Sequence, residues 1–158
     1  MTTTIEPWAR PEWVTQATLL IESYARSVGR DLVDGEGSPL VRAERLYRAP
    51  FVVVSHGIEA DPILSYGNAA ALALWEMEPD RFTRTPSRLT AEPVHRAERE
   101  RLLERTLREG FVDDYAGIRI SRNGKRFRIE QAIIWNVVDT AGTRRGQAAT
   151  FARWTPVG

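Results

Sequence analysis

The segment "PSRLTAEPVHRAERE", residues 86–100, gathers His95, Arg96 and Arg99 within little more than one helical turn. An imidazole can move a proton, and a guanidinium fork can grip a carboxylate through two parallel hydrogen bonds. Which of these side chains could do so depends on the face each occupies. Thr90 is the expected N-cap of a helix over 91–109, with Pro93 in its first turn and Gly110 as its stop. At 100° per residue, Leu102, Leu103, Thr106 and Leu107 share the core face. Followed toward the N-terminus, that face carries Arg99, His95 and Arg96, while Glu98, Glu100, Arg101, Glu104, Arg105 and Arg108 fall largely on solvated faces. Ser87 and Arg88, just ahead of the helix, could close one end of the same space.

The elements around this helix follow from periodicity. Trp13, Ala17, Leu20, Ile21, Tyr24 and Val28 form one stripe of a helix over 12–28, and "DGEGSP" (34–39) is a linker before a short helix that ends near Tyr47. "FVVVSH" (51–56) is a continuous apolar run, expected to be a central strand buried on both faces. "ILSYG" is a second strand, and Asn68 caps the helix "AAALALWEM". "EPDRFTRTPSRL" contains two prolines and reads as irregular chain or short helical turns.

The last third reads as strand. "FVDDYAGIRIS" and "KRFRIEQAIIWNVVD" flank Asn123-Gly124, so a two-residue turn would set Arg122 opposite Lys125. Strict alternation then sends Ala116, Ile118, Ile120, Phe127, Ile129, Gln131, Ile133 and Trp135 to the core, with Gln131 its one polar group. Tyr115, Arg119, Ala132 and Ile134 go to the outer face. A final strand spans 143–154. Its register stays open: either Ala148, Thr150 and Trp154 or Ala149 and Phe151 could face inward.

Composition narrows the chemistry. The 158 residues, 42% of them hydrophobic, suffice for one real core, and a net charge of +1 gives no field toward nucleic acid or membrane. Lys125 is the only lysine among the 22 basic residues. With no cysteine, disulfides, thiol catalysis and cysteine metal sites are excluded, and His56 and His95 are too far apart in sequence to suggest zinc. "MTTTIEPWARPEW" has no apolar signal core, and no run reaches transmembrane length, so a cytoplasmic location is expected. No metal box, Ser-His-Asp order or Gly-rich phosphate loop is present.

Two strands, short helices, one longer helix and three long antiparallel strands make an α+β layout with a five-stranded antiparallel sheet and an N-terminal helical extension. "PILSYGNAAALALWEMEPDRF" resembles the opening of a PAS domain. Together with "PSRLTAEP", "YAGIRIS", "GKRF", "IIWNVVD" and "GQAATF", it resembles the MEKHLA domain, a PAS-like family found alone in bacteria and at the end of certain plant homeodomain transcription factors. The resemblance runs from about Leu40 to Trp154, dividing the chain into 1–39, a helix and linker, and 40–158, the PAS-like domain. It brings no expectation of DNA binding, because no homeodomain precedes these motifs in the sequence.

The resemblance implies a sensor or dimerisation module with a small-molecule pocket between the sheet and helix 91–109. Arg99, His95, Arg96 and Arg88 would contribute to that pocket from the helical side. Gln131, Ile133, Trp135 and Trp75 would complete it. Arg99 would hold a carboxylate and Gln131 would orient it, unless Arg99 instead pairs internally with Asp113, Asp114 or Glu76. The ligand is left unknown. Haem-binding PAS domains use a histidine on this helix, but His95 lies too near its start, so haem is not expected. A cysteine-adduct flavin photosensor is excluded, and flavin in general is not expected.

Two alternatives remain. One is an interaction module whose pocket is closed by Trp75 and Trp135. The other is a small-molecule enzyme using His95 with Glu92 or Asp114, although no enzyme is the favoured reading. The stripe on helix 12–28 and the outer sheet face both need a cover, so the helix is expected to lie across the back of the sheet, within one chain or exchanged in a two-fold dimer. A homodimer through these surfaces is expected.

Overall fold

The computed structural model describes residues 5–158; the N-terminal segment searched for a signal core begins in residues 1–4, outside the described residues. Two 3-10 turns, Pro7–Ala9 and Ser87–Thr90, accompany five helices: α1 (Pro11–Val28), α2 (Pro39–Tyr47), α3 (Ala69–Trp75), α4 (Pro79–Phe82) and α5 (Pro93–Glu109). The strands are β1 (Val52–His56), β2 (Leu64–Gly67), β3 (Phe111–Ile120), β4 (Arg126–Val138), β5 (Arg144–Phe151) and β6 (Arg153–Val157). They form one antiparallel sheet in the order β2-β1-β5-β4-β3. The expected last strand breaks at Ala152, and β6 then continues along the other half of β4 as a sixth strand.

The sheet separates two cores. On the front, Trp75, Phe82 and Leu102 from the helices meet Val52, Val112, Phe127, Ile129, Ile134 and Phe151. On the back, Trp13, Leu20, Ile21 and Tyr24 of α1 and Leu46 of α2 cover Val53, Tyr66, Trp135, Val137 and Ala148. The apolar run of β1 is therefore split, Val52 facing one core and Val53 the other, as its central position requires. β5 is likewise used on both sides, with Ala148 behind and Phe151 in front.

Asn68 ties the layers together. Its carbonyl caps α3 by accepting from Ala71 N and also accepts from Val53 N; its amide donates to the carbonyls of Leu46 and Phe51. The side chain is fully buried with both its amide oxygen and its nitrogen hydrogen-bonded, a satisfied network at the junction of α2, β1 and α3.

Alternation fails in the hairpin at identifiable places. Ile120 pairs with Arg126, and Ser121 N donates to Lys125 O, so the loop is the three residues 122–124 rather than two, and Ser121 takes the place expected of Arg122. Glu130 and Gln131 then stand together opposite Ala116, between the pairs Tyr115–Ala132 and Gly117–Ile129. This is a β-bulge, with Gln131 at φ 52°. Asp113 and Asp114 make a second bulge opposite Ile133.

The one-residue slip and the bulges exchange faces. Tyr115, Arg119, Ala132 and Ile134, expected outside, are buried on the front. Ile133 and Trp135, expected in front, contribute to the back core, and Gln131 is exposed. The back of the sheet and the stripe of α1 meet within a single chain, which removes the argument that these two surfaces need a homodimer to cover them.

Candidate functional site

Between the front of the sheet and α5 lies a cavity of about 70 Å³. Its apolar wall includes Leu64, Trp75, Phe82, Leu102, Ile129 and Phe151. Trp75 is the centre of that wall, meeting Phe127, Phe82 and Phe151 edge-on at centroid distances of 5.2, 6.4 and 6.2 Å. The polar residues around it are Ser55, His56, Ser87, Thr90, Arg99, Tyr115, Arg119 and Gln147. No Asp or Glu lines the space.

Arg99 is delivered by α5, whose N-cap is Glu92 rather than Thr90. Thr90 instead donates its hydroxyl to Ser87 O in the preceding turn, while Ser87 N donates to Pro62 O, so the turn is held at both ends. That places Ser87 Oγ to accept from Arg99 Nη2. The guanidinium is only 6% exposed, and its one carboxylate neighbour is the solvent-exposed Glu100, at 3.5 Å. Asp113, Asp114 and Glu76 are not its partners: Glu76 pairs with Lys125 and accepts from Ser121, and both aspartates are exposed. Burial, and next the charge of Arg119, draw the Arg99 pKa down to about 10, which leaves it charged near neutrality.

Arg119 arrives from β3 and is equally buried. It donates to Ile118 O and to the Tyr115 hydroxyl, at 2.9 Å each, and its guanidinium lies 5.4 Å over the Tyr115 ring. Tyr115 in turn donates to Glu98 at 2.9 Å. Gly117 makes this possible: a Cβ there would come within 2.1 Å of the Tyr115 hydroxyl. No carboxylate lies within ion-pair distance of Arg119 among the described residues.

His56 ends β1. Its Nδ1 lies 3.1 Å from Gly57 O, so that nitrogen carries the proton and Nε2 is a bare acceptor. Burial pushes the ring's pKa down to about 4, keeping it neutral at pH 7. Nε2 is buried without a partner, and so is the indole N–H of Trp75. Gln147 donates to Leu103 O and to Asn136, and Asn136 donates to Thr106 O, pinning the last turns of α5 to the sheet.

Of the residues singled out by sequence, the cavity brings together Arg99 and Trp75, with Ser87 beside them. His95 is half-buried but outside the lining, and Arg96 donates to Ala91 O. Arg88 is exposed and pairs with Asp61, while Gln131, Ile133 and Trp135 were carried away by the bulge. The acid–base pairing does not form in the cavity either, since Glu92 is held by Arg126 at 2.6 Å and neither Glu92 nor Asp114 lines it. Sequence reasoning missed His56, Tyr115, Arg119 and Gln147. A signal was present: Tyr115, Gly117 and Arg119 alternate on one strand face, an aromatic and a cation with room between them.

The front cavity over a five-stranded antiparallel core, roofed by short helices and one long one, defines a PAS-type fold. Solved structures agree. The PAS domain of a protein from Colwellia psychrerythraea superposes with TM-score 0.59 at 12% identity, over 74% of this chain and 94% of that one. An RNA-binding light-oxygen-voltage receptor gives TM-score 0.60 at 16% identity, over 78% and 35%. A light-oxygen-voltage domain studied with a flavin analogue gives 0.54 at 16%, over 73% and 84%. At these identities the likeness is one of fold.

The MEKHLA domain matches residues 14–156, and the chain belongs to that family. The match begins inside α1, so most of the helix that closes the back of the sheet lies within the matched region. No curated protein matches the chain in sequence. Among the described residues, no helix is long and apolar enough to cross a membrane, and no group of three metal-ligating side chains comes together.

Proposed function

We propose that the protein is a sensory or regulatory module that binds a small organic anion in the cavity between the sheet and α5. One observation carries the reading: two buried guanidiniums, Arg99 and Arg119, border a largely apolar space that no carboxylate lines. Arg119 has no ion-pair partner among the described residues and Arg99 only the exposed Glu100, so an anion arriving between the two relieves part of the cost of burying them. The size supports a small ligand. A cavity of about 150 Å³ holds one benzene, so this one, at about 70 Å³, does not fit a flavin or haem without opening.

The same small volume favours one competing reading, a closed module that works through its surface alone. Native mass spectrometry of freshly purified protein separates them. The anion reading expects a bound small acid that disappears in Arg99→Met while the circular dichroism spectrum persists. A bare wild-type protein that also ignores added carboxylates overturns it.

A further inference from the structure

Two residues of the cavity wall each carry a buried polar atom that the anion reading leaves unpaired. His56 Nε2 is an acceptor without a donor, and Trp75 Nε1 is a donor without an acceptor. The kind of group each needs follows from its chemistry. Nδ1 of His56 is committed to the Gly57 carbonyl, which fixes the tautomer, so Nε2 can be satisfied only by an O–H or N–H. The indole nitrogen needs an oxygen or another lone pair. Carboxylate oxygens can supply the second of these but never the first.

A protonated amine would supply a donor, but the same space faces Arg99 and Arg119. A third cation beside two buried guanidiniums is repelled in a low-dielectric cavity. Titratable or charged groups around His56 add nothing to favour it. Arg99 and Arg144 act on the ring as like charges, and Glu59 is the one acid that acts on it. A hydroxyl has neither fault. It donates and accepts, and it carries no charge.

Resting on the anion reading, we infer that the ligand is a small hydroxy acid, its carboxylate held by Arg99 and Arg119 and its hydroxyl donated to His56 Nε2. The cavity volume restricts it to a few carbon atoms. Simple carboxylates of the same length bind more weakly because they leave the imidazole acceptor buried and unpaired, which is how a polar site rejects an analogue lacking a hydroxyl. Amino acids are excluded by their ammonium group.

Matched compounds test this by isothermal titration calorimetry at pH 7 on the full chain: propionate against lactate, butyrate against 3-hydroxybutyrate, and alanine as the ammonium counterpart. The expected result is that in at least one pair the hydroxy acid binds about five- to tenfold more tightly, with no binding of alanine. In His56→Leu that ratio falls to about one, and His56→Gln, which keeps an acceptor, retains part of the preference. The wild-type ratios stand on their own if His56→Leu does not fold. Equal affinities within both pairs overturn the hydroxy-acid inference and leave the anion reading intact. Binding of neither plain nor hydroxy acids overturns both.

Discussion

Trp135 and Trp75 are both buried, one on each side of the same sheet. Trp135, on the back, meets Tyr24 edge-on at 4.9 Å and donates its indole N–H to Ser23 Oγ at 3.0 Å. Trp75, on the front, meets three phenylalanines and has no acceptor for its N–H. The back is completed by the chain's own α1, with the polar tip of its largest side chain satisfied. The front retains one unpaired donor, one unpaired acceptor and two guanidiniums. The chain's own helix covers the back, and the space that borders both guanidiniums lies in front.

The harshest way to test that division is to delete residues 1–30. Trp135, Val137, Tyr66 and Val53 would lose their cover, and the expected outcome is loss of cooperative unfolding together with aggregation, followed by calorimetry and light scattering. A soluble, cooperatively folding truncated chain would show that the back needs no lid. Trp135→Ala is a milder form of the same test. Removing a fully buried indole should cost about 3–5 kcal/mol in urea denaturation, with no change in the front cavity.

The front is tested by pH. In the unfolded chain His56 takes up a proton near pH 6.5, whereas in the folded protein burial delays this to about 4. Between those values the unfolded state binds more protons, so stability is fully present above pH 6.5 and lost as the pH falls toward 4. The loss should be on the order of 3 kcal/mol, and His56→Phe should show a correspondingly flatter profile over that window. Identical profiles would mean that the ring is solvated.

The smallest effect has the opposite sign. Arg99→Met replaces a buried charge with an apolar chain of similar length and should leave stability unchanged or raise it by about 1 kcal/mol, while abolishing anion binding. A loss of several kcal/mol would instead make Arg99 a structural member of the front core.

Elements with strong local chemistry were legible in the sequence. The apolar run of β1, the Asn68 cap and the stripe of α1 each announce their place through residue type and spacing, and Arg99 follows from the wheel of α5. The faces of the hairpin were not legible, because alternation holds only while no residue is inserted. The adjacent polar pair Glu130-Gln131 is where the phase changes, and what looked like one polar intruder in an apolar face was the mark of a bulge. From there onward every side chain of β4 was assigned to the wrong side, and the one-residue slip at the turn did the same to β3. Arg119 and Tyr115 were therefore placed outside, and the second guanidinium of the site went unseen.

The pairing of β1 with β5 has a consequence in time. Val52 sits beside Phe151 and His56 beside Gln147, so the middle of the sheet joins segments far apart along the chain. Helices and the β3–β4 hairpin can form from neighbouring residues while the chain is still being made, but this pairing must first close a long loop, whose entropy cost comes before its contacts are gained. The cavity wall and the platform beneath α1 become continuous only when β5 joins β1 to β4. Synthesis halted before residue 147 leaves β1 and β4 unjoined, so α1 has α2 to pack on but no continuous sheet, and refolding should be slow for a protein of this size, limited by that long-range closure.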